Sequence, residues 1–420
     1  MRIRLLFIAL VIAEQLSALS VSSLYAGEDR LELYSWWNAG GDSVALEALV
    51  GLYKKANPGT EVVSQTIGGT GGIAARAVLQ TRLNAGNPPD TWQSHPGWEL
   101  FGQYVDRGYC EPIDSVYDSE GWNHVFPANL IPLLSERGRK YEVLVGIHRG
   151  NVLWYDKKVL DKLHIHVGAN LSFDALIAAC DKLEAAGISG IAVGDLEITN
   201  SAQVFENTLL GVIGPDGWTD LFDGKLQWDS PQVKLAMQMF GEIVDRQNPD
   251  HASLDLYGAL RELISGKAGF TCAGDWTYGA FLRSNQKPNV DFGWVCYPGT
   301  DNSFVVIADG FTLAKGAPDR DEALRWLKIV GSKEAQEQFN QIKGSIPART
   351  DVDRAKFDPY HQWSMDSFLK DRLIPSCVHG EAAPPSMQEA VNDAVAQFVK
   401  DRNVDDFASA MVRAAQEQQM

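Results

Sequence analysis

The chain has 420 residues, of which 45% are hydrophobic and 22% are charged, and its formal net charge is −17. This length is enough for two domains of ordinary size. Such an acidic chain repels nucleic acid and anionic lipid, so we expect neither as a partner. The five cysteines lie far apart without a C-x-x-C pair, and no H-x-x-x-H or clustered carboxylate set occurs, so we expect no metal site.

The first 26 residues have the composition of a secretory signal. Arg2 and Arg4 precede an apolar stretch at 5–13, and residues 24–26 end in a small residue suited to cleavage. Glu14 ends the apolar run well short of the roughly 20 residues that a membrane span requires. We therefore predict that residues 1–26 are a signal peptide and that the mature protein is periplasmic.

Two adjacent tryptophans, Trp36 and Trp37, follow a short apolar strand at 31–34 and precede an amphipathic helix at 43–53. Side chains alternate along a strand, so at least one indole is expected to face a cleft; burial of both beneath the helix is the alternative. Asp42 at the helix start can cap the helix or accept hydrogen bonds from a ligand. An indole beside a carboxylate suits a sugar, because C–H faces stack on the ring while hydroxyls bind the acid.

Strand, turn and helix recur three times in the first hundred residues, which predicts an α/β layered domain. The third strand, at 91–94, places Gln93 and His95 on one face at its carboxyl end, and a helix at 99–106 follows. Ligands of open α/β sheets bind outside the carboxyl ends of the strands. Gln93 and His95 are therefore predicted to share a site with the two tryptophans.

A dinucleotide site is the alternative for the glycine-rich segment at 68–72. Gly69, Gly71 and Ala74 match G-x-G-x-x-A after a strand. The acid about twenty residues on, Asp90, stands before the next strand and not at its carboxyl end, where it would bind a ribose. We interpret the glycines as a turn and helix start that line a cleft, and we expect no cofactor.

Polar residues interrupt two apolar segments. Residues 143–155 contain His148-Arg149-Gly150-Asn151, and a second apolar strand at 304–313 contains Asp309. Unpaired burial of a polar group costs about 1–3 kcal/mol, so these interruptions need a reason. Strands that cross between two domains supply one.

The segment between the two crossing strands has the pattern of a second α/β unit. It ends in a strand followed by Gly274-Asp275-Trp276, which repeats the strand, glycine, carboxylate and indole of the first tryptophan segment. Further on, Lys343 opens a basic turn at 343–349, and His379 lies in a non-helical interruption of the carboxyl-terminal helices.

Several motifs occur in a fixed order, from Leu31 to at least Arg349: Trp-Trp-x-x-Gly-Gly-acid, Gly-Gly-x-Gly-Gly, Asn-Pro-Pro-Asp, Gly-Lys-Ala-Gly-Phe-x-x-x-Gly-Asp-Trp and Lys-Gly-Ser-Ile-Pro-Ala-Arg. Each motif alone is weak, but their order and spacing are specific. Together they resemble the sugar-binding subunits of bacterial ABC importers, and within these the glucose-binding branch of extracellular solute-binding proteins.

The resemblance implies an α/β, two-lobe periplasmic-binding-protein-like fold of type II, in which each lobe is a mixed sheet flanked by helices and crossover strands join the lobes. The N-terminal lobe is expected to comprise residues 27–146 plus 304–346, and the C-terminal lobe residues 147–303 plus 347–420. The resemblance also implies the ligand contacts, which are Trp36, Trp37, Asp42, Gln93, His95, His148, Asp275, Trp276, Asp309, Lys343 and His379.

Two positions depart from the family pattern. Leu256 stands where relatives often have another tryptophan, which removes one stacking wall. Asp42 replaces the usual glutamate and shortens an acceptor. Both departures leave the exact sugar open.

The expected function is a monomeric receptor without catalytic activity. It is expected to capture a monosaccharide, with glucose first and galactose or mannose as alternatives, and to deliver it to the membrane permease subunits of an ABC importer. A disaccharide, a polyol or a sugar acid is the alternative ligand. A secreted glycosidase is the alternative class, since Asp42, Asp275 and Asp309 include candidates for its two carboxylates; a nearby Lys343 would disfavour the protonated acid that such an enzyme needs.

Overall fold

The structure is a computed structural model that describes residues 29–38, 40–68, 72–196 and 198–418. The predicted signal peptide lies outside these residues, as do Gly69 and Gly71 of the glycine-rich segment. Among the described residues, no helix has both the length and the apolar character needed to span a bilayer.

The strands lie in two main sheets and one short hairpin. In chain order they are β1 (Arg30–Ser35), β2 (Glu61–Thr66), β3 (Thr91–Ser94), β4 (Cys110–Glu111), β5 (Ser135–Glu136), β6 (Arg139–Lys140), β7 (Glu142–Arg149), β8 (Val152–Asp156), β9 (Ser189–Ala192), β10 (Ala268–Cys272), β11 (Phe292–Cys296), β12 (Ser303–Ala314) and β13 (Arg372–Pro375).

The helices pack around these sheets. In chain order they are α1 (Gly40–Ala56), α2 (Ile73–Asn84), α3 (Asp114–Ser119), α4 (Ile131–Leu134), α5 (Lys157–Lys162), α6 (Phe173–Ala185), α7 (Thr199–Phe222), α8 (Pro231–Val244), α9 (Leu256–Ile264), α10 (Tyr278–Arg283), α11 (Arg320–Val330), α12 (Lys333–Lys343), α13 (Pro359–Lys370), α14 (Pro385–Asp401) and α15 (Val404–Glu417).

Both sheets are mixed. The first has the order β13-β12-β3-β1-β2, with β4 and β7 also paired to β12. Here β1 is parallel to β2 and β3, whereas β12 is antiparallel to β3 and β7. The second sheet has the order β11-β8-β10-β9, with β9 and β10 parallel. The prediction of an α/β fold with mixed sheets flanked by helices is confirmed.

The chain passes between the sheets at two places, and the first of them lies beside the polar residues that interrupt the apolar segment at 143–155. Strand β7 ends in the first sheet at Arg149, and β8 begins in the second at Val152, so only Gly150 and Asn151 separate them. A second passage leads from β11 in the second sheet to β12 in the first. The polar side chains of these segments therefore lie between two cores.

The two largest hydrophobic clusters form two cores. The first contains Leu33 and Phe368, and the second contains Phe270 and Phe398 together with Val305 of β12. Helix α13 thus packs in the first core, whereas α14 packs in the second. The boundaries predicted for the two lobes stay a prediction.

Some local elements differ from the sequence-based prediction. The segment predicted as a helix at 99–106 is a π-helix, Glu99–Val105. Helix α7 kinks at Gly214, which has a non-helical φ of 69°. The next residue, Pro215, cannot donate a helical hydrogen bond. All five cysteines lie in described residues and are unpaired.

Candidate functional site

Asp309 lies at the centre of the predicted site. It is on β12, and β7 carries an extra residue, Val145, opposite the step from Asp309 to the next residue. Such a bulge re-aims side chains. Gln93 Nε2 donates to Asp309 Oδ1 at 2.7 Å, and His148 Nε2 lies 3.3 Å from Oδ2. His95 Nε2 lies 3.7 Å from Oδ1, so three predicted residues converge on one carboxylate.

His148 joins Asp309 to a second carboxylate. Its Nδ1 lies 2.5 Å from Asp275 Oδ1, at the start of the segment that follows β10. The other oxygen, Oδ2, accepts from the backbone N–H of Arg149 at 3.1 Å and from the Tyr360 hydroxyl at 3.0 Å. The imidazole therefore bridges Asp309 of the first sheet and Asp275, which lies just beyond β10 of the second sheet.

Asp309 and His148 each shift the pKa of the other toward its charged form. Burial alone would raise the pKa of Asp309, but the His148 hydrogen bond and the charge of Lys343 hold that pKa well below its ordinary value. Burial and Lys343 act to lower the pKa of His148, but Asp275 and Asp309 outweigh them and raise it. We infer that a protonated His148 lies beside an ionised Asp309 and is hydrogen-bonded to Asp275.

This bridge predicts a pH dependence of stability. Because the pKa of His148 is raised in the folded state, its stabilisation is complete below the unfolded value of about 6.5 and is lost as the pH rises through the folded value. We expect wild type to lose more free energy of unfolding between pH 6 and pH 9 than His148→Gln does. Urea denaturation at each pH measures this, and equal losses in both proteins would contradict the bridge.

The two adjacent tryptophans point in different directions. Trp37 is 1% exposed and packs in the first core, with ring centroids 5.0 Å from Phe339 and 5.8 Å from Phe311. Trp36 is partly buried, and its ring lies edge-on to His95 at 5.1 Å. Trp36 therefore lies on the side of the polar cluster, whereas the predicted ligand contact of Trp37 stays a prediction.

Lys343 and Asp42 form an ion pair beside Trp37. The Nζ atom at the end of α12 lies 2.9 Å from Asp42 Oδ1, in the first turn of α1, and 5.9 Å from the Trp37 ring centre. Burial lowers the pKa of Lys343, but the charges of Asp42 and Asp309 outweigh burial and raise it. The lysine therefore stays charged and supplies a donor group.

Trp276 and His379 form the other side of the cluster. The partly buried ring of Trp276 lies 5.6 Å from that of His148 and 5.1 Å from that of His379. His95 Nδ1 lies 2.9 Å from the His379 carbonyl oxygen. Burial, together with the charges of His95 and Arg76, lowers the pKa of His379 to about 3, so this imidazole is neutral at pH 7.

The structure joins the predicted site residues in one connected set of contacts, and it adds residues that the sequence analysis missed. Glu99 Oε2 lies 3.1 Å from His95 Nδ1, and Arg76 Nη1 lies 3.5 Å from the same carboxylate oxygen. Tyr360 of α13 holds Asp275. These residues lie on helices and not at strand ends. Only the spacing of four between His95 and Glu99 offered a local signal.

The family sequence model of the bacterial extracellular solute-binding proteins matches residues 39–337 of this chain. The chain belongs to this family. The resemblance noted in the sequence is thereby confirmed for the solute-binding proteins, whereas the glucose-binding branch is not distinguished.

Individual relatives match over nearly the whole chain. An uncharacterized ABC transporter extracellular-binding protein of Pyrococcus horikoshii is 33% identical over 91% of this chain and 87% of its own length. A probable sugar-binding periplasmic protein of Brucella melitensis is 31% identical over 93% of this chain and 92% of its own length. A solved structure of the bacterial solute receptor AcbH, described with an exclusive preference for β-D-galactopyranose, aligns with a TM-score of 0.80. It is 19% identical and covers 94% of this chain and 99% of that one, which shows the two-lobe fold.

Proposed function

We propose that the protein is a receptor that captures a monosaccharide, with glucose first, between its two sheets and delivers it to the permease of an ABC importer. The observation that carries this proposal is the bridge Asp309–His148–Asp275, which links the two sheets and lies beside the indole of Trp276. The Brucella relative is named for sugar binding without a stated sugar, and the order of glucose before galactose or mannose rests on the motif resemblance.

The chemistry of the cluster favours a neutral polyhydroxyl ligand. The carboxylates of Asp42, Asp275 and Asp309 can accept from hydroxyls, while Lys343 and His148 can donate to them. Charge-assisted hydrogen bonds of this kind are the strong class. Because these three carboxylates outnumber the two cationic groups, a sugar acid would add a negative charge that has no cationic partner. We therefore place sugar acids behind neutral sugars.

Binding is proposed to exchange contacts within the protein for contacts with the sugar. Gln93 already donates to Asp309, and the Nε2 atoms of His95 and His148 lie 3.7 Å and 3.3 Å from its oxygens, so ligand hydroxyls would enter an arranged set of partners. His148 lies at the end of β7, next to the passage between the sheets. A ligand held at this position can favour one relative placement of the two sheets, which is the hinge closure known for binding proteins.

The glycosidase alternative is disfavoured by the same geometry. A general acid must be protonated near neutral pH, whereas the pKa of Asp309 is held well below its ordinary value. Asp275 is occupied by His148, the Arg149 backbone and Tyr360. Asp42 is paired with Lys343. The three carboxylates therefore fit ligand binding better than hydrolysis.

Trp276→Ala is expected to weaken sugar binding by at least about 1 kcal/mol, or roughly fivefold in Kd, because the indole face no longer stacks on the sugar ring. Trp276→Phe keeps an aromatic face and is the matched control, with a smaller expected loss. Calorimetric titration of both variants measures the effect. Unchanged affinity in a folded Trp276→Ala protein would remove Trp276 from the site.

The proposed function is tested by calorimetric titration with glucose, galactose, mannose and maltose. The purified mature protein is first unfolded and refolded to remove sugar carried over from the cell. We expect binding near micromolar, about −8 kcal/mol, to one monosaccharide and no turnover of that sugar. Tighter binding of maltose would favour the disaccharide alternative. Failure to bind any of the four would contradict the monosaccharide proposal, and continued heat after saturation would indicate hydrolysis.

We also propose that the receptor is exported to the periplasm after cleavage near residue 26 and that it acts as a monomer. The basic and apolar composition of residues 1–26 and the family membership support export. Intact-mass measurement of the secreted protein would locate the cleavage site. Light scattering would give its molecular mass in solution, and a dimer would contradict the monomer proposal.

A further inference from the structure

Glu206 is a buried carboxylate outside the proposed ligand contacts. It lies on α7, is 2% exposed and faces the loop formed by residues 376–380. Its Oε1 accepts from the backbone N–H groups of Cys377 at 2.6 Å and Val378 at 3.1 Å. Its Oε2 lies 2.9 Å from the Ser376 hydroxyl. One carboxylate therefore engages three consecutive residues of this loop.

Ser376 connects this carboxylate to His379. The Ser376 Oγ atom lies 3.0 Å from His379 Nδ1 and accepts from the backbone N–H of His379 at 3.1 Å. A hydroxyl has one proton and two acceptor lone pairs, so its proton can go either to Glu206 or to His379, but not to both. The direction of this proton decides which nitrogen of the imidazole carries the hydrogen.

Two arrangements of hydrogen atoms give Glu206, the Ser376 hydroxyl and His379 Nδ1 a hydrogen-bond partner each. When Glu206 is ionised, the Ser376 hydroxyl donates to it and accepts from His379 Nδ1–H, which leaves Nε2 as an acceptor. When Glu206 is protonated, its O–H donates to Ser376, and Ser376 donates to Nδ1, which leaves Nε2–H as a donor. The backbone N–H groups of Cys377 and Val378 keep Oε1 as their acceptor in both arrangements.

We propose that Glu206 is a positioning residue that sets the tautomer of His379 through Ser376, and thereby whether His379 Nε2 donates to or accepts from the bound sugar. This inference rests on the proposed function, in which His379 contacts the ligand beside Trp276. The nearby carboxylates already supply acceptors, so the donor form of His379 complements the hydroxyl oxygens of a sugar. The protonated state of Glu206 is therefore the state of higher affinity.

Glu206 is surrounded by other titratable groups, and Glu206 itself changes charge near neutral pH. Burial raises the pKa of Glu206 to about 7, against the bonds from Val378, Ser376 and Cys377. Burial also raises the pKa of the facing thiols, Cys272 to about 12 and Cys377 well above its ordinary value. The pKa of the facing Glu381 is raised well above its ordinary value, and that of His379 is lowered to about 3. The two thiols and His379 therefore keep their charge at the pH where Glu206 changes its own.

The test is titration of the preferred sugar at pH values from 5.5 to 8.5. In wild type we expect the Kd to rise about fivefold as the pH passes about 7, because one hydrogen bond to the sugar is lost. Glu206→Gln keeps a donor toward Ser376 and an acceptor toward the backbone, so it should hold the high-affinity state and show no such step. Glu142→Gln is the matched control, because Glu142 is buried but contacts Ser94 instead of this loop, and it should keep the step.

Ring nitrogen chemical shifts of His379 give a second measurement that needs no sugar. The signal, identified by its loss in His379→Gln, should change from the Nε2–H to the Nδ1–H tautomer with rising pH in wild type and stay fixed in Glu206→Gln. Failure of wild type to bind any sugar would sink the proposed function, while the nitrogen shifts would still decide the tautomer claim. The same pH step or the same tautomer change in Glu206→Gln would overturn the inference.

Discussion

Asp309→Ala is expected to abolish ligand binding and to lower the free energy of unfolding by about 3–5 kcal/mol. Asp309 is 3% exposed, accepts from Gln93 and lies beside His148. Its charge also raises the pKa of Lys343. Without it, the buried Gln93 amide loses its acceptor, and the buried His148 keeps only Asp275 of its two carboxylate neighbours. Urea denaturation and calorimetric titration of the same preparation measure the two effects.

Asp366→Ala is a matched control for this experiment. Asp366 also forms an ion pair, with Arg354, but its side chain is 67% exposed, and exposed pairs contribute only about 0–1 kcal/mol. Asp309→Asn separates shape from charge, since it keeps an acceptor for Gln93 but cannot balance His148. A loss below about 1 kcal/mol in Asp309→Ala, comparable to that of the control, would contradict the central role of this carboxylate.

Arg149→Met is expected to lower the free energy of unfolding by about 3–5 kcal/mol, because it removes a fully buried charge from its partners. The guanidinium donates to Ser367 at 2.6 Å and to the Ser303 carbonyl at 3.1 Å. It also lies 4.2 Å from the ring centre of Trp363 and 3.9 Å from a carboxylate oxygen of Asp371. Methionine keeps an unbranched apolar stem but removes the guanidinium, so the loss reports the contacts of that group.

The measurement is urea denaturation with Arg354→Met as the control, since Arg354 is also paired with a carboxylate but is partly exposed. We expect the control to stay within about 1 kcal/mol of wild type. Because Arg149 of β7 also donates to Cys296 Sγ of β11 in the second sheet at 3.2 Å, its loss is also expected to broaden the range of relative positions of the two sheets. Equal stability of the two variants would show that the guanidinium is not needed at this passage.

The passage at 148–151 could be predicted from the sequence because polar residues inside an apolar strand need partners. What could not be predicted was which partners they have. Trp363 and Ser367 lie more than 200 residues further along the chain, and no local pattern links them to Arg149. Periodicity describes one element at a time, whereas these contacts depend on how distant elements pack.

The tryptophan pair illustrates the same limit on a smaller scale. Alternation predicted that Trp36 and Trp37 would diverge, and they do. Which indole enters the core depends on Phe311 and Phe339, which belong to other elements. The sequence therefore identified the segment but not the assignment of its two side chains.

Helix α7 shows the same limit, because its polar run is buried in the structure although the sequence alone does not indicate burial. Residues 200–208 include a run of polar side chains around the helix, and all of them are buried. When a helix is polar on several faces and yet buried, its side chains must form hydrogen bonds with neighbouring loops or strand ends. Here Gln203 and Asn207 donate to the Gly150 carbonyl, and Glu206 accepts from the loop at 376–378. Without the packing, the same run suggests an exposed helix.

A crystal structure of the refolded protein grown with its preferred monosaccharide tests the central claim most directly. We predict one sugar ring stacked on Trp276, with hydroxyls within hydrogen-bond distance of Asp309 and Lys343 and with contacts to residues from both sheets. A sugar bound at another surface, or one that contacts neither Trp276 nor Asp309, would contradict the assignment of this site.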